Sequence, residues 1–213
     1  ARFWGQLDMP YFLRNDPQDV AWHTRVLHLF ADSAVPVVRA RLASIGEGFQ
    51  VVVYLPDQPD LFARICGYFD SKNLSVLDAK IHTTRHGYAL DSFVLVDPSG
   101  ASRYRDILSL VESELAQRLT AAGDLPAPVR GRSSRRSRYF PIEPSIDLRA
   151  DERGRQFLLS VVANDRTGLL YSIARVLGRY RISRHTARIT TLGERVEDVF
   201  LIDGEALRNE REQ

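Results

Sequence analysis

Phe157-Leu158-Leu159-Ser160-Val161-Val162-Ala163-Asn164-Asp165-Arg166-Thr167-Gly168-Leu169-Leu170 is an apolar run that breaks at an acid, turns at a glycine and resumes on two leucines. Such a run reads as a buried strand, a tight loop and the first turn of a helix. A variant of it stands 108 residues earlier: Phe49 to Leu55, then Pro56-Asp57-Gln58-Pro59-Asp60-Leu61-Phe62. The match spreads outward from there. Ile65 pairs with Ile173, and Ser75, Ala79, Ile81 and Thr83 pair with Ser183, Ala187, Ile189 and Thr191. After a turn one residue shorter in the second copy, Asp91 and Phe93 pair with Asp198 and Phe200. Residues 48–97 and 156–203 are thus two copies of one small unit, not parts of one large domain.

Within the first copy, Phe49–Leu55 predicts a strand and Asp60–Ser71 a helix, whose apolar face is Leu61, Phe62, Ile65, Tyr68 and Phe69. Leu74–Thr84 alternates as a strand, Arg85-His86-Gly87 makes a hairpin turn, and Tyr88–Asp97 returns. Arg103–Leu119 is a second amphipathic helix striped by Ile107, Leu108, Val111, Leu115 and Leu119. The order is β-α-β-β-α. The second copy repeats it as strand Phe157–Ala163, helix Leu169–Tyr180, strand Ser183–Thr191 and strand Val196–Asp203. The expected organisation is a helical lead-in at 1–47, a first unit at 48–120, an arginine-rich linker at 121–138, and a connecting strand within 139–155. A second unit follows at 156–213. Phe140, Ile142, Ile146 and Leu148 alternate with polar residues, and the expectation is that they complete the first unit. Only ten residues follow Asp203, so the second unit is expected to be truncated or completed by a neighbour.

The composition, 44% apolar with a net charge of +2, is that of an ordinary globular chain and offers no global field for nucleic acid. No apolar run approaches the roughly 20 residues needed to cross a bilayer, and the N-terminal residues show no signal-peptide pattern. A single cysteine, Cys66, excludes a disulfide framework and fits a reducing cytoplasm. It lies in an apolar helix pattern and reads as a structural thiol. The chain opens on Ala1 rather than Met, as a piece of something longer would. Arg130, Arg132, Arg135, Arg136 and Arg138 lack interleaved aromatics for base stacking, so the linker reads as a solvated tether.

In the lead-in, Asp16-Pro17 marks a helix start, with a capping Asp and Pro at the first position. Trp4, Tyr11, Phe12 and Trp22 are more aromatics than so short a piece needs; they belong against a preceding domain or against the repeats. His23 and His28 have no ligand-spaced partners and read as ordinary helix histidines. His82, His86 and His185 likewise lack a nucleophile or metal partner. Asp91 and Asp198 read as structural acids of the return strands.

Asp165-Arg166-Thr167-Gly168-Leu169-Leu170, following a strand in a β-α-β-β-α-β pattern, resembles the ACT domain, a ferredoxin-like module that binds amino acids. The first copy keeps Asp57 and Leu61 but has Asp60 in place of the glycine. Further stretches are Tyr11-Phe12-Leu13-Arg14 with Trp22-His23-Thr24, Asn73 to Ile81 with Thr83-Thr84-Arg85, and Gly193 to Phe200. With these the chain is similar to the tandem ACT region of the bacterial bifunctional uridylyltransferase/uridylyl-removing enzymes that modify PII nitrogen signal proteins. The resemblance implies an α+β fold of two ferredoxin-like units in tandem. It also implies glutamine as ligand, PII as partner, and catalytic domains upstream that use magnesium or manganese. Neither a nucleotidyltransferase motif nor a His-Asp metal pair is in this chain.

The chemistry of the loops agrees with that implication. A helix start presents unpaired N–H groups and the positive end of the dipole, where a carboxylate docks. Gly168 lets a ligand approach the backbone, and Asp165 complements an α-ammonium. By resemblance the glutamine-binding residues are Asp165, Arg166, Thr167, Gly168 and Leu169 in the second copy, and Asp57, Gln58, Asp60 and Leu61 in the first. Asn73 would be an amide partner; its equivalent is Arg181, so the two sites are expected to differ in affinity. Two readings compete with this one. In the first, the units serve dimerisation or PII docking and the loops are plain helix caps. In the second, the fold carries an enzyme of its own, although no nucleophile–base or metal constellation is legible.

Overall fold

The computed structural model describes residues 2–44, 47–99, 104–121, 142–151, 156–164, 168–192, 195–205 and 207. The helices are α1 (Arg2–Gly5), α2 (Met9–Arg14), α3 (Pro17–Leu27), α4 (Leu61–Ser71), α5 (Tyr104–Thr120) and α6 (Leu169–Arg179). The strands are β1 (Val37–Leu42), β2 (Phe49–Pro56), β3 (Ser75–Lys80), β4 (Tyr88–Val96), β5 (Ser145–Ala150), β6 (Phe157–Asn164), β7 (Ser183–Leu192) and β8 (Arg195–Asp203). The class is α+β, the paired strands are antiparallel, and the two copies are ferredoxin-like ACT units in tandem. The chain forms two compact units: Ala1–Gln58 with Lys80–Gly123, and Pro59–Ala79 with Asp124–Gln213.

In the first unit the strands run β1-β2-β4. Tyr54 stands opposite Val37 on one side and Leu90 on the other. Period-two alternation therefore places Val37, Val52, Tyr54 and Leu90 on one face. Phe3, Leu7, Tyr11, Trp22 and Leu27 of the lead-in form one buried cluster with them. The lead-in aromatics are thus core of this unit, with Tyr11 and Trp22 buried and Trp4 half-exposed, its Nε1–H donating to Thr24 Oγ1 at 2.8 Å. Asp8 caps α2 by accepting the Tyr11 N–H at 3.1 Å. Asp16 stands at the cap position of α3 with Pro17 next, but its side chain makes no capping bond. On α5, Val111, Leu115 and Leu119 are buried. Glu112 accepts the Ala40 N–H at 2.6 Å and so satisfies an edge donor of β1. The lead-in expected as helical also contains the strand β1.

In the second unit the strands run β3-β7-β8-β6-β5. Ala79 of β3 faces Ala187 of β7. These two are equivalent residues of the two copies and both are buried, so a local two-fold passes between them. The same two-fold sets α4 antiparallel to α6. Gly67 of α4 lies against the Tyr171 ring, and Gly178 of α6 lies against the Asp60 carboxylate. β5 pairs with β6, with Ile146 opposite Val161 and Leu148 opposite Leu159. The strand expected to complete the first copy thus borders the second. Next to this pairing the Asp151 N–H donates to the Gln156 carbonyl at 2.8 Å. β1 borders β2 in the same way, so each copy receives its edge strand from the residues before it, not after it. The arginine-rich stretch 122–138 lies outside the described residues. Among the described residues no helix is long and apolar enough to cross a membrane.

Candidate functional site

Both copies pass from strand to helix through a residue in the left-handed region. Asp60 caps α4 at φ 60°, and Gly168 caps α6 at φ 80°. Neither helix start has a side-chain capping bond from its own cap residue. At Gly168 the left-handed turn is free of cost, whereas at Asp60 an L-residue carries about 1 kcal/mol of strain. Gly168 is buried. Its carbonyl accepts the first helical bond from the Ser172 N–H at 2.9 Å and a second from Ser172 Oγ at 2.6 Å. The N–H groups of the first turn have no partner within the helix by construction.

That mouth already holds a carboxylate. Asp70, in the last turn of α4, accepts the backbone N–H of Gly168. Partial burial raises its pKa above the ordinary value, and the hydrogen bond from Gly168 opposes that rise. At the other end of the helix pair the partners are exchanged: Asp60, at the cap, lies against Gly178, the equivalent of Asp70. Each end of the pair therefore combines one acid with one glycine. Sequence reasoning singled out Asp60 and Gly168 but passed over Asp70 and Gly178. The signal was present in the repeat, where the two types swap between copies at both positions.

The other expected residues fall as follows. Asp57 is exposed; its carboxylate accepts from Thr83 Oγ1 at 3.3 Å and its N–H donates to the Gly87 carbonyl at 2.9 Å, which ties the loop to the hairpin turn. Gln58 is half-buried, and its Nε2 has no hydrogen-bond partner among the described residues. Leu61 is core, and Leu169 is half-buried at the start of α6. Asp165, Arg166 and Thr167 lie outside the described residues. Asn73 is exposed at φ 55°, just past the end of α4, where the Leu74 N–H reaches back to the Phe69 carbonyl at 3.0 Å. Asn is favoured in that left-handed helix stop on geometry alone. Arg181 occupies the same place after α6 at φ 53°, with the Ile182 N–H on the Leu177 carbonyl at 2.9 Å.

The strongly perturbed side chains of the first unit serve its packing. Tyr11 Oη lies 2.7 Å from His23 Nδ1. Burial raises the Tyr11 pKa, so the phenol stays protonated and donates. Burial lowers that of His23 to about 4, so the imidazole is neutral and accepts. Asp19, nearly buried, gathers Arg41 at 2.7 Å, Gln50 at 3.2 Å and Lys80 at 3.3 Å. These bonds bind α3 to the sheet. His82, its pKa lowered by burial, lies 3.6 Å from Asp8.

Comparison with known proteins agrees with the resemblance read from the sequence. The family described as Uridylyltransferase GlnD fifth domain matches residues 1–26. The chain is 63% identical over 207 residues to the bifunctional uridylyltransferase/uridylyl-removing enzyme of Cupriavidus pinatubonensis, covering 96% of this chain and 24% of that enzyme. It is 61% identical over 208 residues to that of Ralstonia nicotianae, with coverage of 96% and 24%. To the enzyme of Burkholderia vietnamiensis it is 58% identical over 210 residues, with coverage of 99% and 24%. The chain spans about a quarter of the length of the curated relatives it matches. No solved structure matches.

Proposed function

We propose that this chain is the glutamine-sensing region of a cytoplasmic bacterial enzyme that uridylylates and deuridylylates PII nitrogen regulatory proteins. Glutamine would bind at the strand–loop–helix junction of Gly168 and bias the catalytic domains of the longer protein toward removal of UMP. The observation that carries the reading is the backbone N–H of Gly168, set at a helix start and holding a carboxylate. A free amino acid offers the same group, with the dipole of α6 behind it. The identity of about 60% to enzymes named for uridylyl transfer and removal supports the choice of enzyme. The pairing of Ala79 with Ala187 brings elements of both copies together within one chain, so a homodimer is not needed to assemble a paired site.

A ligand shifts a conformational balance only by binding one arrangement better than another. In the longer enzyme, then, glutamine should bind more tightly to the state that removes UMP. Calorimetry of the chain with L-glutamine and with L-glutamate tests the first step. Saturable heat with glutamine, weaker with glutamate, is expected; a folded sample giving no heat with glutamine overturns the reading. A PII complex that forms equally with and without glutamine would instead favour a docking module.

A further inference from the structure

β5 is the outermost strand of the second unit, and among the described residues no strand pairs with its far side. All but its last residue are exposed, Ile146 at 74% and Leu148 at 41%. The matching edge strand of the first unit is closed: α5 packs on β1, and Glu112 takes the Ala40 N–H. Among the described residues no side chain reaches the backbone of β5 in that way. The ladder itself fixes which groups face outward. The Asp151 N–H bonds the Gln156 carbonyl, one step beyond Ala150 opposite Phe157. Hydrogen-bonded pairs recur at every second residue of an antiparallel ladder. Ser145, Asp147 and Arg149 therefore bond inward to β6, and Ile146, Leu148 and Ala150 turn their N–H and C=O groups to the open edge. The side chains sort with the same period. Ile146 and Leu148 share the face of Val161 and Leu159, whereas Asp147 and Arg149 share the other face and pair with each other at 2.6 Å.

We propose that this edge is a self-complementary interface, in which β5 pairs antiparallel with β5 of a second copy of the chain. The charges identify the occupant. With Leu148 on the two-fold axis, Leu148 faces its own counterpart, Ile146 faces Ala150, and Asp147 faces Arg149 across the axis. The charged residues then stand in non-hydrogen-bonded pairs, where side chains approach most closely. Ile146, Leu148 and Ala150 of each copy each donate one backbone hydrogen bond to the other strand. Sliding the strands by two residues one way sets Asp147 against Asp147, and the other way sets Arg149 against Arg149. Of these three registers only the first joins unlike charges, so repulsion excludes its neighbours. A slip of one residue sets outward groups against inward ones and breaks the ladder. An edge strand guarded by charges of one sign resists a second copy of itself. β5 carries one of each, spaced so that a two-fold matches them. A strand of six residues makes a small interface, so the dimer should be reversible. Glutamine plays no part in this contact.

The test is sedimentation velocity of the whole chain between about 1 and about 500 µM, the range suited to a small interface. The native chain should pass from monomer to dimer as its concentration rises. Asp147→Arg and Arg149→Asp each set like charges against each other and should weaken the dimer by about 10-fold or more. The double variant, Asp147→Arg with Arg149→Asp, restores unlike pairs and should bring the dissociation constant back to within about 3-fold of native. Leu148→Lys puts two ammonium groups on the axis and should abolish dimers. All three side chains are exposed, so the variants should fold, which circular dichroism and thermal melting check. A native chain that stays monomeric at the highest concentration overturns the proposal. A dimer indifferent to both single charge reversals overturns it too, because the contact then lies on another face. Loss in both single variants with no recovery in the double one overturns the pairing of Asp147 with Arg149 and the register built on it.

Discussion

The two copies share one sheet face and differ on the other. Phe49, Val51 and Val53 of β2 are matched by Phe157, Leu159 and Val161 of β6, and Phe93 of β4 by Phe200 of β8. Even the buried acid recurs, Asp91 opposite Val53 and Asp198 opposite Val161. On the opposite face the likeness ends. Val52, Tyr54 and Leu90, buried under the lead-in helices, become Ser160, Val162 and Glu197. Val162 and Glu197 face each other as Tyr54 and Leu90 do, so the register is the same and only the chemistry has changed. A sheet face is apolar where something covers it. The first copy is a platform for α1 to α3; the second presents a mixed face at the same place, with Leu158, Val162, Val199 and Leu201 beside Ser160 and Glu197.

That difference breaks most visibly if the copies exchange residues. Leu90→Glu puts the second copy's acid under the lead-in, where Leu90 is 2% exposed. An unpaired buried charge should cost at least about 4 kcal/mol and release the lead-in. Glu197→Leu should stay within about 0.5 kcal/mol, since its partner Arg195, at 2.6 Å, forms an exposed pair of little worth. Urea unfolding of both variants measures the contrast; equal losses would mean that the lead-in does not depend on this face.

The lead-in interface also makes the first unit sensitive to acid. His23 is held neutral at a pKa of about 4 against an ordinary 6.5, with Tyr11, Asp19, Arg41 and Lys80 around it. Above pH 6.5 its full contribution is present. As the pH falls from 6.5 toward 4 the unfolded chain takes up a proton that the fold refuses, and stability should drop by about 3 kcal/mol. His23→Gln should remove most of that slope while lowering stability at pH 7.5. A native-like slope in the variant would assign the acid sensitivity to other groups.

The sequence makes the repeat, the strand–loop–helix junctions and the hairpin at Gly87 legible because each rests on local periodicity or a required turn. It hides β1. Val37-Val38-Arg39-Ala40-Arg41-Leu42 puts two arginines on an inward face, which reads as surface. In the fold Arg39 lies over the Phe30 ring and Arg41 over the Trp22 ring, with Arg41 also on Asp19, so the charges are stacked and paired in place of being solvated. The destination of β5 is hidden for another reason: an alternating strand does not name its neighbour, and either copy offers an edge. Asp70 is hidden because its role is set by the crossing of two helices that are distant in sequence.

Helix packing in the second unit gives a smaller contrast. Gly67 of α4 stands where α6 has Arg175. A methyl at Gly67 would meet the buried Tyr171 ring at 3.0 to 3.3 Å, tighter than ordinary contact. The gain in helix propensity on Gly67→Ala, about 1 kcal/mol, should be outweighed, leaving a net loss of about 1 kcal/mol by thermal or urea unfolding. Arg175→Ala, whose guanidinium lies 5.9 Å from the Tyr171 ring centre, should cost no more than about half of that. A stabilised Gly67→Ala would show that the Tyr171 ring yields and that the helices are not in close register there.

The finest test makes the two mouths alike. Asp60→Gly places at α4 the residue that α6 already has. It removes a left-handed L-residue at φ 60° and takes a carboxylate from beside Gly178. Relief of strain, offset in part by the freedom glycine gains when unfolded, should leave the fold more stable by about 0.5 kcal/mol. The functional consequence is larger than the energetic one. With no acid fixed on the cap and none sent back from Gly178, the start of α4 offers unopposed N–H groups, and a second, weaker glutamine should appear in the titration. Asp60→Asn separates the causes, because it removes the charge and keeps the side chain in the mouth. If Asp60→Gly binds one glutamine as the native chain does, the acid at the cap is not what distinguishes the copies. The difference then lies in the loops themselves, Asp57-Gln58-Pro59 against Asp165-Arg166-Thr167.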